Sequence, residues 1–210
     1  MTPPSPRPEP SDQARPPFVA LTGGLGAGKS TALAALERLG AATLSTDAVV
    51  HDLYASDGDL RDAVVGRWGD AVAPGGRIDR GAVAERAFSS AAERRWLEEQ
   101  LWPKVGERMV SWREEQSHRE APPRAIVVEV PLLFESGMHA AFDATIAVVA
   151  HEDVRAQRAG ARGHHAVDER TARQLSQEEK AERATFAVVN DGAVADLEEA
   201  LSAILAKLEG

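Results

Sequence analysis

Apolar positions along this chain come in two rhythms. Continuous apolar runs occur at residues 18–22, 41–44, 125–130, 144–150 and 186–189. Short runs of this kind, bounded by turn residues or charge, suit strands buried on both faces. Between them the spacing changes to threes and fours. Leu33, Leu36 and Leu39 share one side of a helix predicted over 30–39, with Gly40 as its stop. Leu97, Leu101, Val105, Met109 and Trp112 form a second stripe, where Pro103 predicts a kink. Val194, Leu197, Leu201, Ile204 and Leu208 form a closing amphipathic helix. Residues 57–122 are rich in charge and helix formers and carry no strand pattern, so they read as a helical insertion. A charged helical stretch is expected from 153 to about 183. Strands alternating with helices predict an α/β fold: a five-stranded parallel sheet covered on both faces. In such sheets the ligand crevice lies beyond the carboxyl ends of the strands. The segments after the first four strands, including Asp47, 131–135 and 151–163, should converge there.

One of those segments carries a specific chemistry. Gly23, Gly24, Leu25, Gly26, Ala27, Gly28, Lys29 and Ser30 fit the phosphate-loop pattern G-x-x-x-x-G-K-[ST]. Small residues let successive backbone N–H groups point at phosphate oxygens, and the helix that follows offers its positive end. Lys29 can reach the β- and γ-phosphates of a nucleoside triphosphate, and the Ser30 hydroxyl can ligate Mg²⁺. Asp47, just past the second strand, suits two roles: a carboxylate that accepts a hydroxyl proton, or the N-cap of the next helix. Arg155, Arg158 and Arg162 fall at i, i+3 and i+7, so one helix face near the crevice is positive. Such a face can clamp phosphoryl oxygens or simply meet solvent. Glu129 and Glu135 bracket Val-Pro-Leu-Leu-Phe, and Glu129 at a strand end can hold a metal-bound water or serve as a surface group. His164 and His165 have no carboxylate or cysteine at ligand spacing. No Asn-Lys-x-Asp guanine reader is present, which argues against a GTPase switch.

Composition narrows this further. At 210 residues, the chain suits one domain. No apolar run reaches the length of a membrane helix, and the N-terminus has no signal-peptide core. Seven of the twelve prolines fall in residues 1–17, which read as a disordered, partly extended tail ahead of a folded domain over 18–210. There is no cysteine, which excludes disulfides and thiolate metal sites and fits a cytoplasmic enzyme. The net charge of −9 argues against nucleic acid as a partner, so anions must be held locally by loop amides and a few arginines.

Four segments in order then resemble one family, dephospho-CoA kinase. They are residues 21–31, the Asp47 region, residues 130–136 with Pro-Leu-Leu-Phe-Glu, and residues 174–192 ending in Asn190-Asp191-Gly192. Residues 77–80, Arg-Ile-Asp-Arg, agree more weakly. The resemblance implies a P-loop kinase core with an inserted helical substrate domain over 57–122 and a helical lid over 152–170. It implies ATP-dependent phosphorylation of the ribose 3′-hydroxyl of dephospho-CoA, with Mg²⁺, by a monomer or small homo-oligomer. Carried over by position, Asp47 is the base, and Lys29 and Arg158 act with it in catalysis. Gly24 to Thr31, Arg162 and Asn190 contact ATP, Asn190 near the adenine, and Ser30 serves the metal. The chain departs from the family pattern at Ser45-Thr46-Asp47, where Asp-Ala-Asp is usual. It also has Trp102-Pro103 for His-Pro, and Ala184-Thr185 for Ala-Asp. A kinase for another small acceptor and an ATP-sensing regulatory protein are the alternative readings.

Overall fold

The computed structural model describes residues 15–160 and 174–209. Arg162, His164, His165 and residues 1–14 lie outside them. Five strands form one parallel sheet in the order β2-β3-β1-β4-β5. They are β1 (Phe18–Gly23), β2 (Ala42–Ser45), β3 (Ile126–Glu129), β4 (Ala144–Val149) and β5 (Phe186–Val189). In β1, Leu21 pairs with Glu129 of β3 on one side and Ile146 of β4 on the other. The first crossover runs from β1 outward to β2, while β4 lies on the opposite side of β1. The strand order thus switches at β1, and its carboxyl end opens into the crevice.

Alternation along the central strands divides the apolar side chains between two layers. Val19, Leu21, Val127, Ile146 and Val148 face α1 (Lys29–Arg38) and the closing helix (Val194–Leu208). Leu197, Leu201, Ile204 and Leu205 of that closing helix are buried there. Each such side chain contributes about 1.5–3 kcal/mol by burial. Phe18, Ala20, Ile126 and Val128 face the other way. They meet α2 (Thr46–Ser56), α3 (Gly58–Trp68), α4 (Arg80–Phe88) and α5 (Ala91–Ser117) in one continuous apolar cluster. The helices between β2 and β3 therefore share the core of one sheet face.

Side-chain caps set several of these helices. Asp57 accepts from Leu60 N (2.8 Å), Asp79 from Gly81 N (2.8 Å) and Ser90 from Glu93 N (3.2 Å). The helix α5 runs unbroken through Pro103, although proline lacks the N–H that the turn before it would use. Leu97, Leu101, Val105 and Met109 remain buried on one face of it. The expectation of five fully buried strands is corrected at the edges. All four residues of β2 are only partly buried, and in β5 only Val188 is buried. An edge strand has a neighbour on one side only, and these two are covered incompletely. The folded region also starts earlier than Phe18. Pro16 is buried, and the Pro17 carbonyl accepts from Ile126 N (2.9 Å), extending the β1–β3 pairing.

After β4 come α6 (Glu152–Gly160) and, nearer β5, α7 (Gln177–Arg183), the penultimate helix. A capping box starts α7: Ser176 Oγ accepts from Glu179 N, and the Glu179 carboxylate accepts from Ser176 N.

Candidate functional site

The phosphate loop joins β1 to α1 at the switch point. Gly28 sits at φ +93° as the residue before α1, a conformation suited to glycine. A Cβ there would lie 2.1 Å from Asn190 Nδ2. Asn190, buried just past β5, donates its side-chain amide to the Ala27 carbonyl at 2.8 Å. Its own backbone N–H is held by Val149 O at the end of β4 (2.8 Å). Asn190 thus fixes the loop from beneath. Arg158 Nη1 donates to the Asn190 carbonyl at 2.9 Å, which brings one of the two predicted lid arginines beside the loop. Arg155 reaches the loop too, but on its outer side: Nε donates to the Leu25 carbonyl (2.9 Å). Lys29 Nζ donates to the Gly23 and Gly24 carbonyls at 3.0 and 3.1 Å, curled over the loop at the start of α1.

Two carboxylates complete the crevice. Asp47 lies in the first turn of α2 and is exposed, while Ser45 occupies the cap position. The capping alternative for Asp47 is therefore removed. Thr46 Oγ1 donates to the Glu129 backbone carbonyl (2.9 Å), tying the start of α2 to the end of β3. Burial pushes the Glu129 carboxyl above its ordinary range. The Lys29 charge and a hydrogen bond from Ser45 pull it back, and the Asp47 charge raises it further. These four side chains therefore form one electrostatic neighbourhood. Ser45, which departs from the family pattern, is one of the groups that hold the Glu129 carboxyl down. Thr185 is accounted for: its hydroxyl accepts from Thr145 N (3.0 Å), and its N–H donates to Thr145 Oγ1 (2.9 Å). Trp102 is 47% exposed on α5, and nothing in the structure explains its choice.

The donor set suits a hard cation. Ser30 is exposed in the first turn of α1, and Glu129 and Asp47 lie in the electrostatic neighbourhood of the adjoining Lys29. Among the described residues no three His, Cys, Asp or Glu side chains gather as a metal cage. Mg²⁺ is ordinarily held by one or two carboxylates or a hydroxyl, the nucleotide's phosphates and water, so these residues fit it.

A polar scaffold behind the loop was not foreseen. Gln177 brackets Ala150, accepting from its N–H and donating to its carbonyl, both at 2.9 Å. Lys180 is fully buried, with Nζ donating to the Pro131 carbonyl (2.7 Å) and paired with Glu135 Oε1 at 3.1 Å. Glu135 Oε1 also accepts from Leu175 N (2.8 Å), and Thr22 Oγ1 reaches the same Pro131 carbonyl (3.4 Å). The segment after β3 is thereby fastened to α7 and to β1. The Pro-Leu-Leu-Phe-Glu motif carries its glutamate for this pair. No local signal marks this pair, since every face of α7 carries polar residues.

The comparisons with known proteins agree with one another. The family model described as dephospho-CoA kinase matches residues 17–196. This chain belongs to the dephospho-CoA kinase family. A dephospho-CoA kinase of Protochlamydia amoebophila is 36% identical over 195 residues, covering 91% of this chain and 96% of that protein. One from Thermus thermophilus is 36% identical over 198 residues, covering 93% of each. Among solved structures, TT1252 from Thermus thermophilus superposes with a TM-score of 0.75 at 36% identity, covering 93% of this chain and all (100%) of that one. The Campylobacter jejuni dephospho-CoA kinase shares the fold, with a TM-score of 0.67 at 21% identity over 91% of this chain and 96% of that one. As a member of the family, the protein is an enzyme that uses ATP to phosphorylate dephospho-CoA, giving coenzyme A. No helix among the described residues is long and apolar enough to cross a membrane.

Proposed function

We propose that the transfer takes place in the crevice between the phosphate loop and Asp47, with the ribose 3′-hydroxyl of dephospho-CoA as the acceptor. The observation that carries this reading is Asp47 itself: exposed, free of the capping role, and in the electrostatic neighbourhood of Lys29 and Glu129. Asp47 orients the hydroxyl and takes its proton as the oxygen attacks the γ-phosphorus. The bond to the β,γ-bridging oxygen breaks, and ADP leaves. Lys29, released from the Gly23 and Gly24 carbonyls, meets the β- and γ-phosphates. Arg158 stands beside the loop, and with Arg162 it closes over the charge that develops on the phosphoryl oxygens. Mg²⁺, when bound, supplies charge neutralisation on the phosphates. Ser30 would hold it directly, and Glu129 would hold its water. The helices between β2 and β3 flank the acceptor side, and the segment 152–170 serves as the lid. The absence of cysteine supports placing the enzyme in the reducing cytoplasm.

The test is a coupled ADP-release assay with Mg²⁺-ATP, with and without dephospho-CoA. Release should require dephospho-CoA and match the coenzyme A formed. Asp47→Asn should lower kcat by about 10²–10⁴-fold while ATP affinity stays within about twofold. An Asp47→Asn enzyme that turns over at the parent rate would remove Asp47 from the reaction.

A further inference from the structure

The three arginines of 155–162 share a predicted helix face, yet Arg155 does not aim at the space above the loop. Its Nε donates to the Leu25 carbonyl at 2.9 Å. One Nη is held by the Glu152 carboxylate at 2.7 Å, and the other lies 3.3 Å from where a Cβ on Gly24 would stand. The backbone of α6 also rests on the loop: a Cβ on Gly26 would come within 2.6 Å of the Arg155 carbonyl oxygen. The guanidinium is therefore packed along the outer side of Gly24, Leu25 and Gly26.

The orientation of one peptide group follows. A trans peptide is planar, with its C=O and its N–H on opposite sides. A donor that holds the Leu25 carbonyl outward turns the Gly26 N–H inward, toward the phosphate cradle. Asn190 does the same one peptide pair later, since holding the Ala27 carbonyl turns the Gly28 N–H inward. Two side chains from opposite ends of the last third of the chain thus aim alternate amides of one loop. Glycine-rich loops are otherwise free to rotate such peptides, so a fixed orientation lowers the ordering cost of binding.

We propose that Arg155 is a positioning residue for nucleotide binding, acting through the Leu25 carbonyl to aim the Gly26 N–H at the phosphates and not through its charge on the phosphates themselves. This rests on the reading that the loop holds a nucleotide by its phosphates.

Arg155→Gln and Arg155→Met separate these roles. Glutamine places an N–H donor the same number of bonds from the backbone as arginine Nε, without the charge. Methionine keeps a similar stem and has no donor. ADP affinity is measured by calorimetry on the full chain, together with KM for ATP and kcat for the dephospho-CoA reaction. Arg155→Met should weaken ADP binding by about tenfold, the loss of one hydrogen bond that orders the loop. KM for ATP should rise in step, with kcat at saturating ATP nearly unchanged. Arg155→Gln should recover ADP affinity to within about twofold of the parent. Glutamine as weak as methionine would show that the charge matters, and would overturn the proposal. Parent-like ADP binding by Arg155→Met would overturn it as well. If the parent chain itself fails to bind ADP, the underlying reading of the loop is what fails.

Discussion

Replacing Lys180 with methionine removes a charge that never meets solvent. The Lys180 side chain has 0% exposure, and its ammonium serves two partners, the Pro131 carbonyl and Glu135. Burial lowers its pKa, and the Glu135 carboxylate partly restores it. Methionine fills a similar stem volume but donates nothing. Glu135 would then keep a buried negative charge with only the Leu175 N–H on Oε1, and its Oε2 already has no partner among the described residues. Breaking a buried pair from one side costs about 3–5 kcal/mol. For a chain of this size each kcal/mol moves the melting temperature by about 2–4 °C. Lys180→Met should therefore melt about 10 °C lower, with little dependence on salt, because a buried pair is poorly screened. Adding Glu135→Gln removes the stranded charge and keeps an acceptor for Leu175, so the double variant should regain about half of the loss. Thermal melts followed by circular dichroism at low and high salt decide this. A drop below about 3 °C for Lys180→Met, or a double variant no better than the single one, would refute the reasoning.

Three further outcomes follow from the site. Glu129 has a raised carboxyl pKa, so the folded state holds that proton more tightly than the unfolded chain, and stability falls as pH rises from about 4.5 through the folded value. Glu129→Gln should therefore melt higher than the parent at neutral pH, lose that advantage near pH 4, and turn over more slowly; a lower melting temperature at neutral pH would contradict this. Gly28→Ala places a Cβ 2.1 Å from Asn190 Nδ2 at a positive φ, and should weaken ADP binding by about 5–150-fold through strain of about 1–3 kcal/mol. Asn190→Ala strands the Ala27 carbonyl and should cost about 1–3 kcal/mol in stability along with weaker ADP binding; a variant that melts like the parent would show that the carbonyl finds another donor.

Much of this architecture could be read from apolar spacing, and the reasons are physical. The closing helix buries Leu197, Leu201, Ile204 and Leu205 at helical spacing, and the strand at 186–189 shows as a short apolar run although only Val188 of it is buried. The phosphate loop was legible because its chemistry demands glycines at fixed intervals. The failures fall where burial is polar. The helix Gln177–Arg183 reads Gln-Glu-Glu-Lys-Ala-Glu-Arg, which looks solvated throughout, yet Gln177 and Lys180 are buried in it. Nothing local distinguishes Lys180 from a surface lysine, because Glu135 lies far off in sequence. Arg155 and Arg158 stand at helical spacing in the sequence, but their partners, Leu25 and Asn190, are settled only by the folded chain. Arg162 lies outside the described residues.

The apolar cluster beneath the sheet runs without a break from Phe18 and Val128 into Leu60, Val83 and Leu101. The helices between β2 and β3 consequently share their interior with the sheet and have none of their own. Unfolding that region should expose the sheet in the same cooperative event. Replacing the whole helical segment would strip one side of the sheet that carries the phosphate loop.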